Sequence, residues 1–152
     1  MDSHSRPASQ LFIPALGGHY ARLACFAYPL VRIVAGLWLV PHGAQKFFGD
    51  TNMFAGAFAQ MGFEPALPLV YLVGLVEFVG GLMIAVGLLT RPAAAAAAVV
   101  LFVAVLKVHL PMGFMADGGG VEYPLMWALV LVAVVIRGGG ALSIDRRIGR
   151  EF

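Results

Sequence analysis

The sequence predicts an all-α membrane protein, a bundle of four transmembrane helices with both termini in the cytoplasm. Three observations predict it. Hydrophobic residues make up 61% of the 152 residues and charged residues only 12%, where a soluble domain needs about a quarter charged to cover its surface. The apolar residues collect in four runs, at about 22–48, 66–89, 92–110 and 121–136, and about 20 apolar residues cross a hydrocarbon core. The basic residues fall on one side of that pattern. Mean hydropathy, at +0.88, agrees with the first two.

Taken in order, residues 1–20 form an N-terminal cytoplasmic or interfacial segment. Its apolar stretch, residues 11–16, is broken by Pro14 and is too brief for the core of a cleaved signal. Residues 21–145 form the membrane domain and 146–152 a basic cytoplasmic tail. Proline suits the first turn of a helix, where its missing N–H had no partner. Pro65 and Pro68 mark the start of the second run, Pro92 the third and Pro124 the fourth. Pro41 falls inside the first run, where it is expected to kink the helix. Gly138, Gly139 and Gly140 stop the fourth. At 1.5 Å per residue the second run spans about 36 Å and the fourth only about 24 Å, so the fourth recruits residues before Val121 or the bilayer thins around it.

Orientation follows from arginine. Arg6 and Arg22 precede the first run, Arg91 separates the second from the third, and Arg137, Arg146, Arg147 and Arg150 follow the fourth. The other two connections carry Asp50, Glu64, Asp117 and Glu122 and no arginine. The positive-inside rule then puts both ends in the cytoplasm, in keeping with a multi-pass protein of a bacterial cytoplasmic membrane. Between residues 49 and 65, Met53, Phe54, Phe58, Met61 and Phe63 can line one side of an interfacial helix; the functional alternative is a lid over the outer mouth of the bundle.

Ionisable residues inside apolar runs are functional candidates by default. Arg32 and Glu77 each lie near the middle of a run, so antiparallel neighbours are expected to bring them to one depth. Either charge facing lipid costs roughly 2.5–3.5 kcal/mol on the translocon scale, which favours their facing each other. The pair reads as a register-fixing ion pair or as part of a substrate, proton or redox site. Gly36 on the first helix and Gly74, Gly80 and Gly81 on the second permit close approach. A second constellation gathers at the outer end. Lys46 shares a helix face with Arg32, with His42 at its edge, while Lys107, His109 and Glu122 end or begin neighbouring helices on the same side. Snorkelling to the interface accounts for Lys46 and Lys107 and less well for His42. Trp38 and Tyr71 belong to interfacial belts or pack a ring at the site.

Other chemistries lack their residues. Ligation of a metal or haem by His42 and His109 is the lesser reading, because two histidines on separate helices without a Glu-x-x-His partner are a weak signal. Cys25 is the only cysteine, so an internal disulfide is excluded, and it reads as a small apolar residue of the first helix. No P-loop, dinucleotide fingerprint or hydrolase elbow is present. No basic patch with interleaved aromatics suggests a nucleic-acid partner.

At these residues the chain resembles a known family. Arg32-x-x-x-Gly36 followed by His42-Gly43-x-x-Lys46 is similar to the first-helix signature of the DoxX family of small membrane proteins, and Glu77 in a glycine-rich second helix to that family's glutamate. The ending Gly138-Gly139-Gly140-Ala141-Leu142-Ser143-Ile144-Asp145 resembles the family's Gly-Pro-Gly-x-x-Ser-x-Asp tail, with Gly139 in place of proline. The resemblance implies a four-helix membrane domain. It also implies kinship with a subunit linked to thiosulfate:quinone oxidation and with proteins of thiol and oxidative-stress systems.

Three functions follow as expectations. The first is a membrane subunit of a redox system handling quinone or a thiol or sulfur species, together with a redox partner protein. Arg32 and Lys46 would supply positive charge, His42 or Glu77 would relay protons, and Trp38 or Tyr71 would pack the quinone ring. The second is a small-solute or proton-coupled transporter, which in a four-helix protein needs a homo-oligomer to enclose a path. The third is a non-catalytic membrane anchor for a soluble partner, docked through the arginine-rich tail.

Overall fold

A computed structural model describes residues 11–151; Arg6 and the first ten residues of the N-terminal segment lie outside the described residues. The elements are α1 (Gly17–Phe48), α2 (Thr51–Gln60), α3 (Ala66–Val86), α4 (Thr90–Ala104), α5 (Glu122–Arg137) and α6 (Ile144–Ile148). A 3-10 turn, Pro14–Leu16, leads into α1. Beyond α4 the chain continues as a π turn, Val105–His109, and a 3-10 turn, Leu110–Met112. There is no strand among the described residues. Among the described residues three stretches are long and apolar enough to cross a membrane: Pro14–Phe48, Ala66–Val86 and Thr90–Met112. Helix α5 has 16 residues, about 24 Å.

The boundaries have local causes. Asp50 caps α2 by accepting the Met53 N–H at 3.0 Å, which satisfies one of the free amides of its first turn. Gly87 closes α3 in the left-handed conformation with φ 75°, a backbone state glycine adopts without strain. Helix α1 runs unbroken through Pro29 and Pro41 and begins at Gly17, five residues before the apolar run read from the sequence.

Packing starts from α1 on α3, which lie antiparallel. The buried residues of α1 are Pro29, Arg32, Ala35, Gly36, Leu39, Gly43 and Lys46, a single stripe at helical spacing. Glycines make this contact close. A methyl group at Gly36 would overlap the Gly81 carbonyl and come within 2.6 Å of the Ala85 amide. One at Gly43 would overlap the Phe78 amide and come within 2.7 Å of the Gly74 carbonyl. Small residues let backbones meet where lipid supplies no hydrophobic drive. Helix α4 uses the same device: Ala93, Ala94, Ala97 and Ala98 are buried in one cluster with Ile84, Leu131 and Val134.

This register corrects the expected Arg32–Glu77 pair. Gly36 sits against Gly81 and Ala85, and Gly43 against Gly74 and Phe78. Arg32 is thereby level with the end of α3, and Glu77 with His42 and Lys46. Matching the centres of two apolar runs assumes that both helices are centred on the same plane. The glycine steps instead slide α1 along α3, so that its N-terminal part overhangs.

Candidate functional site

Glu77 pairs with Lys46. The Lys46 ammonium donates to Glu77 Oε2 at 2.6 Å and to the His42 carbonyl at 3.2 Å. Both residues are buried, at 8% and 6% exposure. A buried charge persists only when paired and hydrogen-bonded, and each of these supplies what the other needs. Helix α2 closes over the pair: the Lys46 ammonium lies 5.4 Å from the centroid of the Phe54 ring, within cation–π range. The Thr51 hydroxyl donates to the Lys46 carbonyl at 3.1 Å and ties the start of α2 to the end of α1. Beside the pair stands an aromatic group. Phe47 stacks on Tyr71 at 6.0 Å and meets Phe78 edge-on at 6.3 Å, and Phe48 also meets Phe78 edge-on. The arrangement offers a proton donor and a proton acceptor next to aromatic surface, shielded from water.

Arg32 lies fourteen residues back along α1, about 21 Å away along the helix axis. Its guanidinium donates to the backbone carbonyls of Ala85 at 3.2 Å and Leu142 at 2.8 Å, and to that of Gly139. Its Nε is buried without a partner. Arg32 thus ties the segment after α5 to the end of α3. Asp145 continues the tie by accepting from the Leu89 amide at 2.7 Å, the Thr90 amide at 2.9 Å and the Thr90 hydroxyl at 2.7 Å. It therefore caps α4 from a distant part of the chain. Burial pushes the Asp145 carboxyl up, but the Thr90 hydroxyl and amide, the Leu89 amide and the Arg32 charge outweigh it and hold its pKa below the ordinary aspartate value. Ser143 caps α6 by accepting the Arg146 amide at 3.2 Å. Tyr28 donates to the Gly138 carbonyl and carries Arg137 over its ring at 5.3 Å. Asp145, Thr90 and Ser143 lie outside the apolar runs that hold the other ionisable candidates; the signal for Ser143 and Asp145 is the Ser-x-Asp spacing of the tail, and Thr90 stands in the short link between the second and third runs.

His109 and Glu122 serve a third location. His109 Nδ1 meets the Gly119 carbonyl at 2.6 Å, and Glu122 Oε2 accepts the Ala116 amide at 3.0 Å. Together they shape the loop between the π turn and α5. His42 is exposed beside the Lys46 site, and Lys107 is exposed on the π turn. Trp38 donates to the Tyr123 hydroxyl and stacks on Trp127 at 5.9 Å, so it packs an aromatic group separate from that of Tyr71. Cys25 is exposed on α1. Among the described residues no group of three or more His, Cys, Asp or Glu side chains is placed to hold a metal ion.

The DoxX family model matches residues 27–110, a stretch that includes Arg32, His42, Lys46, Glu77 and His109 and stops short of the tail. The chain is similar to an uncharacterized membrane protein of Mycobacterium tuberculosis, 30% identical over 131 residues, 80% of each chain. It is similar to a Bacillus subtilis protein named "Putative oxidoreductase CatD", 28% identical over 118 residues, 76% of this chain and 82% of that one. An uncharacterized protein of Haemophilus influenzae is 28% identical over 125 residues, 80% of this chain and 90% of that one. No solved structure matches.

Proposed function

The chain belongs to the DoxX family of membrane proteins, and on that premise we propose that it is a membrane subunit of a redox system that passes electrons between quinone and a thiol or sulfur species. The observation that carries this reading is the buried Lys46–Glu77 pair at 2.6 Å beside Phe47, Tyr71 and Phe78. A quinone headgroup is a flat ring bearing carbonyl oxygens. Lys46 offers an oxygen a charged donor, Glu77 exchanges protons with it, and the aromatic rings suit its faces. The stoichiometry closes with two thiols. They lose two electrons and two protons to form one disulfide, and the quinone takes up both to become quinol. The printed name of the Bacillus relative supports oxidoreduction as the class.

In this reading the protein sits in a bacterial cytoplasmic membrane with α1, α3, α4 and α5 as four spans. The arginines at the Arg32 end of the bundle support cytoplasmic termini, which leaves the Lys46 site and α2 at the outer face. A soluble redox partner delivers the sulfur substrate.

The test is purification in mild detergent followed by solvent extraction and chromatography of bound lipid. Quinone is expected with the native protein and at much lower occupancy with Glu77→Gln. Absence of quinone, with no spectral change after adding quinone together with thiol or thiosulfate, overturns the proposal.

A further inference from the structure

From Gly18 to Ala27 every residue of α1 is exposed. Tyr28 already reaches Gly138 at the end of α5, and Arg32 reaches Ala85 at the end of α3. These ten residues therefore stand beyond the ends of both helices, and no other helix among the described residues covers them. This part of α1 carries exposed Tyr20, Leu23 and Phe26, apolar surface of the kind that marks a contact with protein or membrane.

The spacing of its large residues indicates which. Leu16, Leu23, Phe26, Leu30, Ile33 and Leu37 follow steps of seven, three, four, three and four, with His19 filling the one vacant position. This is the 3.5-residue repeat of a coiled-coil seam. All six apolar residues are between 36% and 63% exposed, and the seam runs from the overhang into the bundle without interruption. Facing lipid, its inner half demands no partner, whereas its outer half does. An interfacial helix is the competing occupant, but such helices carry a strongly charged face opposite the apolar one. Here that side is Gly18, Ala21 and Cys25, with Arg22 at its margin.

We propose that the seam is a homodimer interface, in which α1 of a second copy lies parallel to α1 of the first. Two copies inserted with the same topology are related by a two-fold axis along the membrane normal. Parallel, in-register pairing is the arrangement that such an axis allows, and Leu23 then faces the partner's Leu23. The six side chains expose roughly 500 Å² per copy, about 1,000 Å² for the pair, which reaches the area a specific interface needs. His19 is the polar seam position that fixes register.

The experiment is oxidative cross-linking of the full chain in native membranes on a Cys25→Ser background. Leu23→Cys, Phe26→Cys and Leu30→Cys are compared with Ala21→Cys, Ala24→Cys and the native Cys25. Disulfide-linked dimer is expected at the three seam positions, several-fold above the others. Light scattering of the detergent-solubilised protein should give a dimer mass that halves in Leu23→Asn/Phe26→Asn with helix content unchanged, because neither side chain touches another helix. Equal cross-linking at every position, strongest cross-linking at Ala21→Cys or Cys25, or a monomer mass for the native chain overturns the proposal. A monomer whose position 23 resists water-soluble thiol reagents would assign the overhang to the lipid interface instead.

Discussion

Replacing Glu77 by leucine leaves the Lys46 ammonium buried with only the His42 carbonyl at 3.2 Å and the face of Phe54 for company. The native pair at 2.6 Å has a gross attraction of about 6 kcal/mol at an effective dielectric near 20. Most of that offsets the several kcal/mol needed to desolvate each ion. What the variant loses is therefore the compensation of a stranded charge, about 3–5 kcal/mol, reduced by whatever the Phe54 contact returns. The same reasoning gives the double variant Lys46→Met/Glu77→Leu a stability within about 1 kcal/mol of the native protein or above it, because neither charge then needs a partner. Unfolding in mixed detergent–SDS micelles, followed by circular dichroism, measures both. A Glu77→Leu protein as stable as the native one would refute the reasoning, as would a double variant no better than the single. Loss of quinone binding in the double variant, with stability retained, would separate the pair's chemical role from its structural one.

Three further outcomes follow from the packing and the tail. Gly36→Val forces two methyl groups into the Gly81 and Ala85 backbone and should cost more than about 3 kcal/mol in the same assay, whereas Gly80→Ala, with open space around it, should be neutral or stabilise by about 0.5–1 kcal/mol. Asp145 has a depressed carboxyl pKa, so its contribution is complete above the ordinary aspartate value and is lost as pH falls through the lower folded value; the stability gap between native and Asp145→Asn should close on acidification, and a gap independent of pH would contradict this. Arg32→Lys has one ammonium for three carbonyls set for a planar fork and should cost about 2 kcal/mol, read as faster proteolytic cleavage at the arginines after α5.

The helices were legible because their signals are local. The run read as 66–89 is α3, closed at Gly87; the run read as 121–136 is α5 displaced by one residue; Gly138 ends it as expected. The segment after the first helix was legible as a helix from its aromatic spacing, and Asp50 caps it as an aspartate at that position should. Side-chain partners were less legible, since they depend on how far one helix slides along another. Gly36, Gly43, Gly74 and Gly81 carried that information, but as permission for close approach, and permission does not state a register. Lys46 was read as one of several outer charges and Glu77 as the partner of Arg32. The π turn Val105–His109 has no sequence signal that separates it from the helix it extends.

The two ends of α1 treat charge in opposite ways, and this bears on where chemistry belongs. Arg32 faces backbone carbonyls, which neither titrate nor leave, and the chain it holds in place passes to Asp145, Thr90 and Ser143. A cation held in that way can fix a tail but cannot readily gain or lose a proton. Lys46 faces the Glu77 carboxylate at 2.6 Å. The pair lies under α2, a short helix joined to the site by the Thr51 and Phe54 contacts. Of the buried Arg32 and Lys46, Lys46 is the one hydrogen-bonded to a side-chain carboxylate, and the proposed function rests on that difference. If Glu77→Gln leaves every redox and binding property intact while Arg32→Lys abolishes them without loosening the tail, this division of labour is wrong and the reactive end of the bundle is the other one.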